Sequence, residues 1–141
     1  MQPTRPTQNN SKLNMKLNLA DPNYLNECRA ALSAEQTKSL AETNNWSHVD
    51  KNQVHLDWEL LYKEIANVID VIDPASDQAQ KYIARHVEIS SRFYQPTKEA
   101  YIGLALFYEE NADMKAYHNS YHPNMVSFLG DAIFTYATKS L

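Results

Sequence analysis

KNQVHLDWELLYKEIANVIDVI, Lys51 to Ile72, is the stretch that decides the fold. Its apolar residues Val54, Trp58, Leu61, Ile65, Val68 and Ile72 are separated by steps of four, three, four, three and four. On an α-helix that spacing gathers all six on one narrow face. Lys51, Asn52, Asp57, Glu59, Lys63, Glu64 and Asn67 lie off that face and can stay in water. A one-sided helix of this length has to bury its face. In a chain of 141 residues the segments that follow are the candidates to cover it. The expected fold class is therefore all-α: a compact domain of about five main helices folded back on this one.

Working outward, Asp50 is placed to cap the long helix, and Asp73-Pro74 ends it, because proline disfavours helix in the residue before it. Ser76 caps a second helix running to about Tyr94, with Ala79, Tyr82, Ile83, His86, Val87 and Phe93 on its apolar side. Thr97 caps a third, Lys98 to Glu110, which is apolar nearly all round and so should be the most enclosed. Gly103 inside it costs about 1 kcal/mol against Ala, so either another helix or a ligand should come close to the backbone there. A short helix or turn covers 111–121, and His122-Pro123-Asn124 breaks it. The last helix runs from Asn124 to about Lys139. On the N-terminal side, Asp21-Pro22 predicts a short helix to about Leu32. Ser33-Ala34-Glu35-Gln36 reads as a capping box for a second short helix over 34–42. Neither is long enough to hold itself, which suits a mobile lid or arm. The polar stretch 1–19 is expected to be a disordered tail, with Met15 a candidate alternative start. The domain is then 20–141, with 20–45 as the lid.

Composition narrows the function. The net charge of −4 gives no footprint for nucleic acid or an anionic membrane. Two glycines leave no glycine-rich phosphate loop. No apolar run approaches the ~18 residues a membrane span needs. The single cysteine, Cys28, has no partner for an internal disulfide, so a cytoplasmic location is expected. The unusual part is the aromatic content, nine Tyr, four Phe and two Trp, which suits a core or a pocket for flat ligands.

Few residues suggest chemistry. His118 and His122, four apart, read either as two surface histidines at a helix end or as two ligands of a zinc site that Asp113, Glu109 or Glu110 would have to complete. His86, on the apolar side of its helix, reads as a hydrogen-bonded core histidine or as a polar contact facing a ligand. Glu109, Glu110 and Asp113 look solvated. No nucleophile motif, P-loop or dinucleotide fingerprint occurs. No cofactor, no metal and no catalysis are expected.

From Trp58 onward the chain resembles the TipAS family, the antibiotic-recognition domain of some MerR-type regulators, with stand-alone relatives that bind albicidin. The residues that carry the resemblance are Asp73-Pro74-x-Ser76, then Gln78 and Gln80 leading to His86. Leu106 to Glu110 (Leu-Phe-Tyr-Glu-Glu), Tyr117, and Phe128-Leu129 with Asp131-Ala132-Ile133 complete it. The resemblance implies a globin-like fold with a cleft for large aromatic or heterocyclic antibiotics such as thiopeptides, and an N-terminal part that orders over the ligand. Some members capture thiopeptides covalently with a cysteine on the third long helix. That position corresponds to Gly103 here, so capture at that point is excluded. The winged-helix and coiled-coil segments of such regulators are not among these residues, so DNA reading by this chain alone is not expected. Helix faces and the fold analogy together place Trp58, Tyr62, His86, Tyr101, Gly103, Phe107, Tyr117 and Phe128 around the cleft. The expected function is non-catalytic binding or sequestration of such an antibiotic, in recognition or resistance. The alternative is a helical interaction module that binds a protein or a second copy of itself.

Overall fold

The computed structural model describes residues 15–141, apart from the side chain of Met15. Seven helices follow one another there: α1 (Met15–Leu19), α2 (Pro22–Glu42), α3 (Lys51–Val68), α4 (Asp77–Ser91), α5 (Lys98–Glu110), α6 (Ala112–Asn119) and α7 (Met125–Ser140). No strand occurs among the described residues, and the all-α reading holds. No helix among them is long and apolar enough to cross a membrane.

The caps read from the sequence start their helices. The Asp50 carboxylate accepts from the Gln53 N–H at 3.1 Å, Ser76 Oγ from Ala79 at 3.2 Å, and Thr97 Oγ1 from Ala100 at 3.2 Å. The ends are less faithful. α3 stops at Val68 rather than Ile72, and both Val71 N and Ile72 N bond back to Val68 O. The last turn tightens to an i→i+3 bond as the chain approaches Asp73-Pro74. α4 likewise leaves the helix at Ser91, three residues before Tyr94.

The N-terminal third differs most from its reading. The two short helices are one helix, the 21-residue α2. No glycine or proline interrupts residues 23–42. The capping-box residues are spent on tertiary contacts instead. Glu35 accepts from Thr97 Oγ1 at 2.6 Å, and Gln36 bonds Tyr94. Residues 15–19, expected to be disordered, form α1, where Leu17 is buried and Lys16 Nζ donates to Thr135 Oγ1 of α7 at 3.2 Å. The rest of the expected tail, 1–14, lies outside the described residues.

α5 sits at the centre, between α2 on one side and α7 on another. Leu61 and Ile65 of α3, Ile83 of α4, Ile102 of α5 and Leu129 and Ile133 of α7 belong to one buried cluster. Gly103 explains the α2–α5 contact. A Cβ there would collide with the backbone carbonyl of Cys28 and stand 3.0 Å from Leu32 Cβ. Of the two readings of this glycine, the close approach of a helix is the one realised. On the outside, Arg92 bonds Asp57 at 2.6 Å and Arg85 bonds Glu64 at 2.8 Å, linking α4 to α3. Such part-exposed pairs contribute about 0–1 kcal/mol each.

Candidate ligand-binding site

α5 carries Tyr101, Leu104 and Tyr108 at helical spacing on the side away from Gly103, with Phe107 beside them. These four form the floor of a cleft of about 170 Å³. Trp58 from α3, Ser90 from α4, Gln36 from α2 and Met114 from α6 add walls. The α4–α5 connection contributes Phe93, Tyr94 and Pro96, and the α2–α3 turn contributes Trp46. Seven of these residues are aromatic and none is charged. Only part of the cleft is open to water: Tyr101 is buried, whereas Phe107 is 37 % exposed.

Behind the floor lies a polar network with no access to solvent. His86 is 0 % exposed. Its Nδ1 meets Tyr101 OH at 2.7 Å, and its Nε2 meets Tyr62 OH at 3.3 Å and Tyr108 OH at 3.2 Å. His118 Nε2 meets Tyr62 OH at 3.1 Å, while its Nδ1 faces the Met114 carbonyl at 2.7 Å. One arrangement of protons satisfies the His118–Tyr62–His86–Tyr101 chain. Nδ1 of His118 must carry hydrogen to bond a carbonyl, so its Nε2 accepts from Tyr62. Tyr62 oxygen then accepts from Nε2–H of His86, and Nδ1 of His86 accepts from the Tyr101 hydroxyl. Burial holds both rings neutral. It pushes His86 down to about 3, with His118 nearby adding to the effect, and it also lowers His118. The same burial raises Tyr62, Tyr101 and Tyr108 well above the ordinary phenol range. Trp58 lies over this network, 4.5 Å from the His86 ring and stacked on Tyr62 at 5.8 Å.

The Trp46 wall rests on unusual backbone. Asn44, Asn45 and Trp46 have φ of 53°, 60° and 62°, three successive residues in the left-handed region. Asparagine tolerates that conformation, but tryptophan rarely adopts it. Contacts hold it there. Trp46 N donates to Thr43 Oγ1 at 2.9 Å, and Nε1 to Ser39 Oγ at 2.8 Å. Its ring meets the Phe93 ring edge-on at 4.9 Å.

The sequence-derived site residues divide into three groups. Trp58, Tyr101 and Phe107 line the cleft. Tyr62 and His86 stand behind it, and Tyr117 lies one layer further out with its ring edge-on to Tyr62 at 6.4 Å. Gly103 and Phe128 do not reach it: Gly103 faces α2, and Phe128 is fully buried in the core. His86 is the hydrogen-bonded core histidine, with neither ring nitrogen turned to a ligand. The His118–His122 pair needs correction. His118 is buried with both nitrogens engaged, and His122 bonds Asp70 at 3.1 Å instead. Among the described residues no group of three or more His, Cys, Asp or Glu is placed to hold a metal ion. Tyr108 was missed although it shares a face with Tyr101 seven residues earlier, a signal the sequence did carry. Phe93 and Tyr94 lie at the expected end of their helix and Trp46 lies between two expected helices, so nothing local places any of the three beside α5.

Comparison with known proteins identifies a family. The TipAS antibiotic-recognition domain matches residues 25–136. No curated protein and no solved structure matches the chain. The matched span takes in α3 to α6 whole, nearly all of α2, and α7 as far as Tyr136, and with them every wall of the cleft. The chain belongs to the TipAS antibiotic-recognition domain family.

Proposed function

We propose that the chain binds the aromatic or heterocyclic part of a large antibiotic, thiopeptide- or albicidin-like, in the α5 cleft, and holds it without chemistry. The observation that carries this reading is the wall itself: seven aromatic side chains and no charge around a partly open cleft. Such a lining gives stacking and apolar burial with little ordering of side chains. Tyr101 and Tyr108 are fixed through their hydroxyls by His86, so the floor exists before a ligand arrives. No nucleophile–base pair lines the cleft, which supports sequestration over catalysis, in recognition or resistance. The cleft is small beside the ~300–1,000 Å³ of ordinary ligand pockets. A thiopeptide-sized molecule therefore places only one part inside it.

The test is thermal melting and tryptophan emission of the full chain against a panel of thiopeptides and albicidin-like compounds. Trp46 and Trp58 both line the cleft, so both report. A ligand at 100 times its Kd stabilises the fold by about 2.7 kcal/mol. A saturable change with one compound supports the reading, and no change across the panel overturns it. A second reading, self-association, is favoured by Leu56 and Leu60, which stand exposed one turn apart on α3. Sedimentation showing a concentration-dependent dimer without ligand supports that reading.

A further inference from the structure

Ser90, a residue of the cleft wall, carries a hydroxyl that the fold does not use. It lines the cleft, and its Oγ is buried without a hydrogen-bond partner among the described residues. Neighbouring hydroxyls show the ordinary solution for a helical serine or threonine. Ser91 Oγ donates to Val87 O at 2.7 Å, and Thr138 Oγ1 to Phe134 O at 3.0 Å, each one turn back. Ser90 makes no such bond to the His86 carbonyl. A buried hydroxyl left unpaired destabilises a fold, so in a mostly apolar wall it points to a partner that arrives with the ligand.

The other polar groups around it have partners within the fold. The Tyr101 and Tyr108 hydroxyls bond His86, Trp46 Nε1 bonds Ser39, and Gln36 bonds Tyr94. No wall residue is charged, so an ionised ligand group entering here would lose its hydration with nothing to replace it. Size sets a further bound. A dry cavity of ~150 Å³ takes a benzene ring, and this one is about 170 Å³ and open on one side. One ring, or two fused rings, fits.

We propose that Ser90 is the specificity-determining residue of the cleft, and that the group it selects is an uncharged one- or two-ring aromatic carrying a hydrogen-bonding substituent on the ring. This rests on the cleft being the ligand site and adds which part of a ligand enters it. The substituent completes the bond that Ser90 lacks, while the ring packs among Trp58, Phe93 and Tyr101.

The experiment uses three probes of nearly one shape: naphthalene-2-carboxamide, 2-methylnaphthalene and 2-naphthoate. Each is titrated by calorimetry into the full wild-type chain and into Ser90→Ala, with amide NMR shifts locating the site. Ser90→Ala is expected to weaken the carboxamide five- to tenfold and to leave 2-methylnaphthalene unchanged. In wild type, 2-naphthoate is expected to bind at least tenfold more weakly than the carboxamide. The variant is expected to melt at or above the wild-type temperature, because it removes an unpaired hydroxyl. If the neutral probes bind in the cleft but Ser90→Ala affects them equally, or lowers the melting temperature, the assignment to Ser90 is overturned while the cleft reading stands. If 2-naphthoate matches the carboxamide, the uncharged class is overturned. If neither neutral probe binds wild type at millimolar concentration, both readings fall.

Discussion

On the side of α5 that meets α2, Gly103 removes the side chain and lets two backbones touch, with Cys28 and Leu32 buried against it. On the side that meets the cleft, Tyr101 and Tyr108 project full aromatic rings, and those rings are propped from behind by His86. The first face is dry and tolerates no added atom. The second is held by directional bonds and leaves room. One helix of 13 residues thus supplies both a backbone contact too close for a Cβ and the floor of an aromatic cleft. The lesson is that burial alone does not identify a binding residue. Gly103 and Tyr101 are both buried, and only the second borders space.

Acid is the strongest way to break the propped face. His86 and His118 are neutral when folded and have depressed pKa values, whereas an unfolded histidine takes a proton near pH 6.5. Their contribution to stability is therefore complete above about pH 6.5 and is lost as pH falls, for His86 down to about pH 3. His86 alone accounts for roughly 4–5 kcal/mol over that window. Urea unfolding at stepped pH checks this. A flat profile between pH 6.5 and 4 would show that the network is not as enclosed as described.

Adding one carbon to the other face comes next. Gly103→Ala forces a Cβ into the Cys28 carbonyl, and because the obstacle is backbone, α2 has to shift. The expected loss is about 3 kcal/mol, at the upper end for overpacking. It is read in thermal unfolding, with the cleft tyrosines undisturbed in the near-ultraviolet circular dichroism of the folded fraction. A neutral or stabilising effect would mean that α2 is not seated on α5.

Phe107 sharpens the comparison from the cleft side. It is partly exposed and makes no hydrogen bond through its ring, so Phe107→Ala should cost the fold under about 1 kcal/mol. Binding of an aromatic ligand should weaken about tenfold, which is about 1.4 kcal/mol. Unchanged affinity in this variant removes Phe107 from the site. Tyr101→Ala is a poor probe by comparison, since it strips a bond from His86.

The smallest expected effect lies at the rim, on neither face. Asn45→Gly keeps the N–H that donates to Leu40 O at 2.8 Å and relieves a left-handed residue. It should raise stability by about 0.5 kcal/mol, measured by denaturant midpoint. A loss would mean that the asparagine side chain itself holds the turn.

The helices were legible in the sequence where local chemistry sets them. Asp50, Ser76 and Thr97 cap as read, and Lys98–Glu110 is helical over the span expected. What failed was local chemistry redirected by distant partners. The Ser33–Gln36 box has the grammar of a helix start, yet Glu35 and Gln36 reach Thr97 and Tyr94 more than fifty residues away. His118 has a polar neighbourhood in sequence, yet α6 turns it inward to Tyr62. Of the cleft residues, Trp58, Tyr101 and Phe107 followed from the helix faces of α3 and α5. Trp46 and Ser90 did not, because a positive φ and an unmade hydrogen bond leave no mark on the order of residues.

Gly103 also sets what can stand beside this helix. A side chain at position 103 and α2 in its present place exclude each other, since both claim the volume at the Cys28 carbonyl. Position 103 and the seat of α2 are therefore coupled: in this chain any residue larger than glycine is accommodated only by moving α2 away from α5.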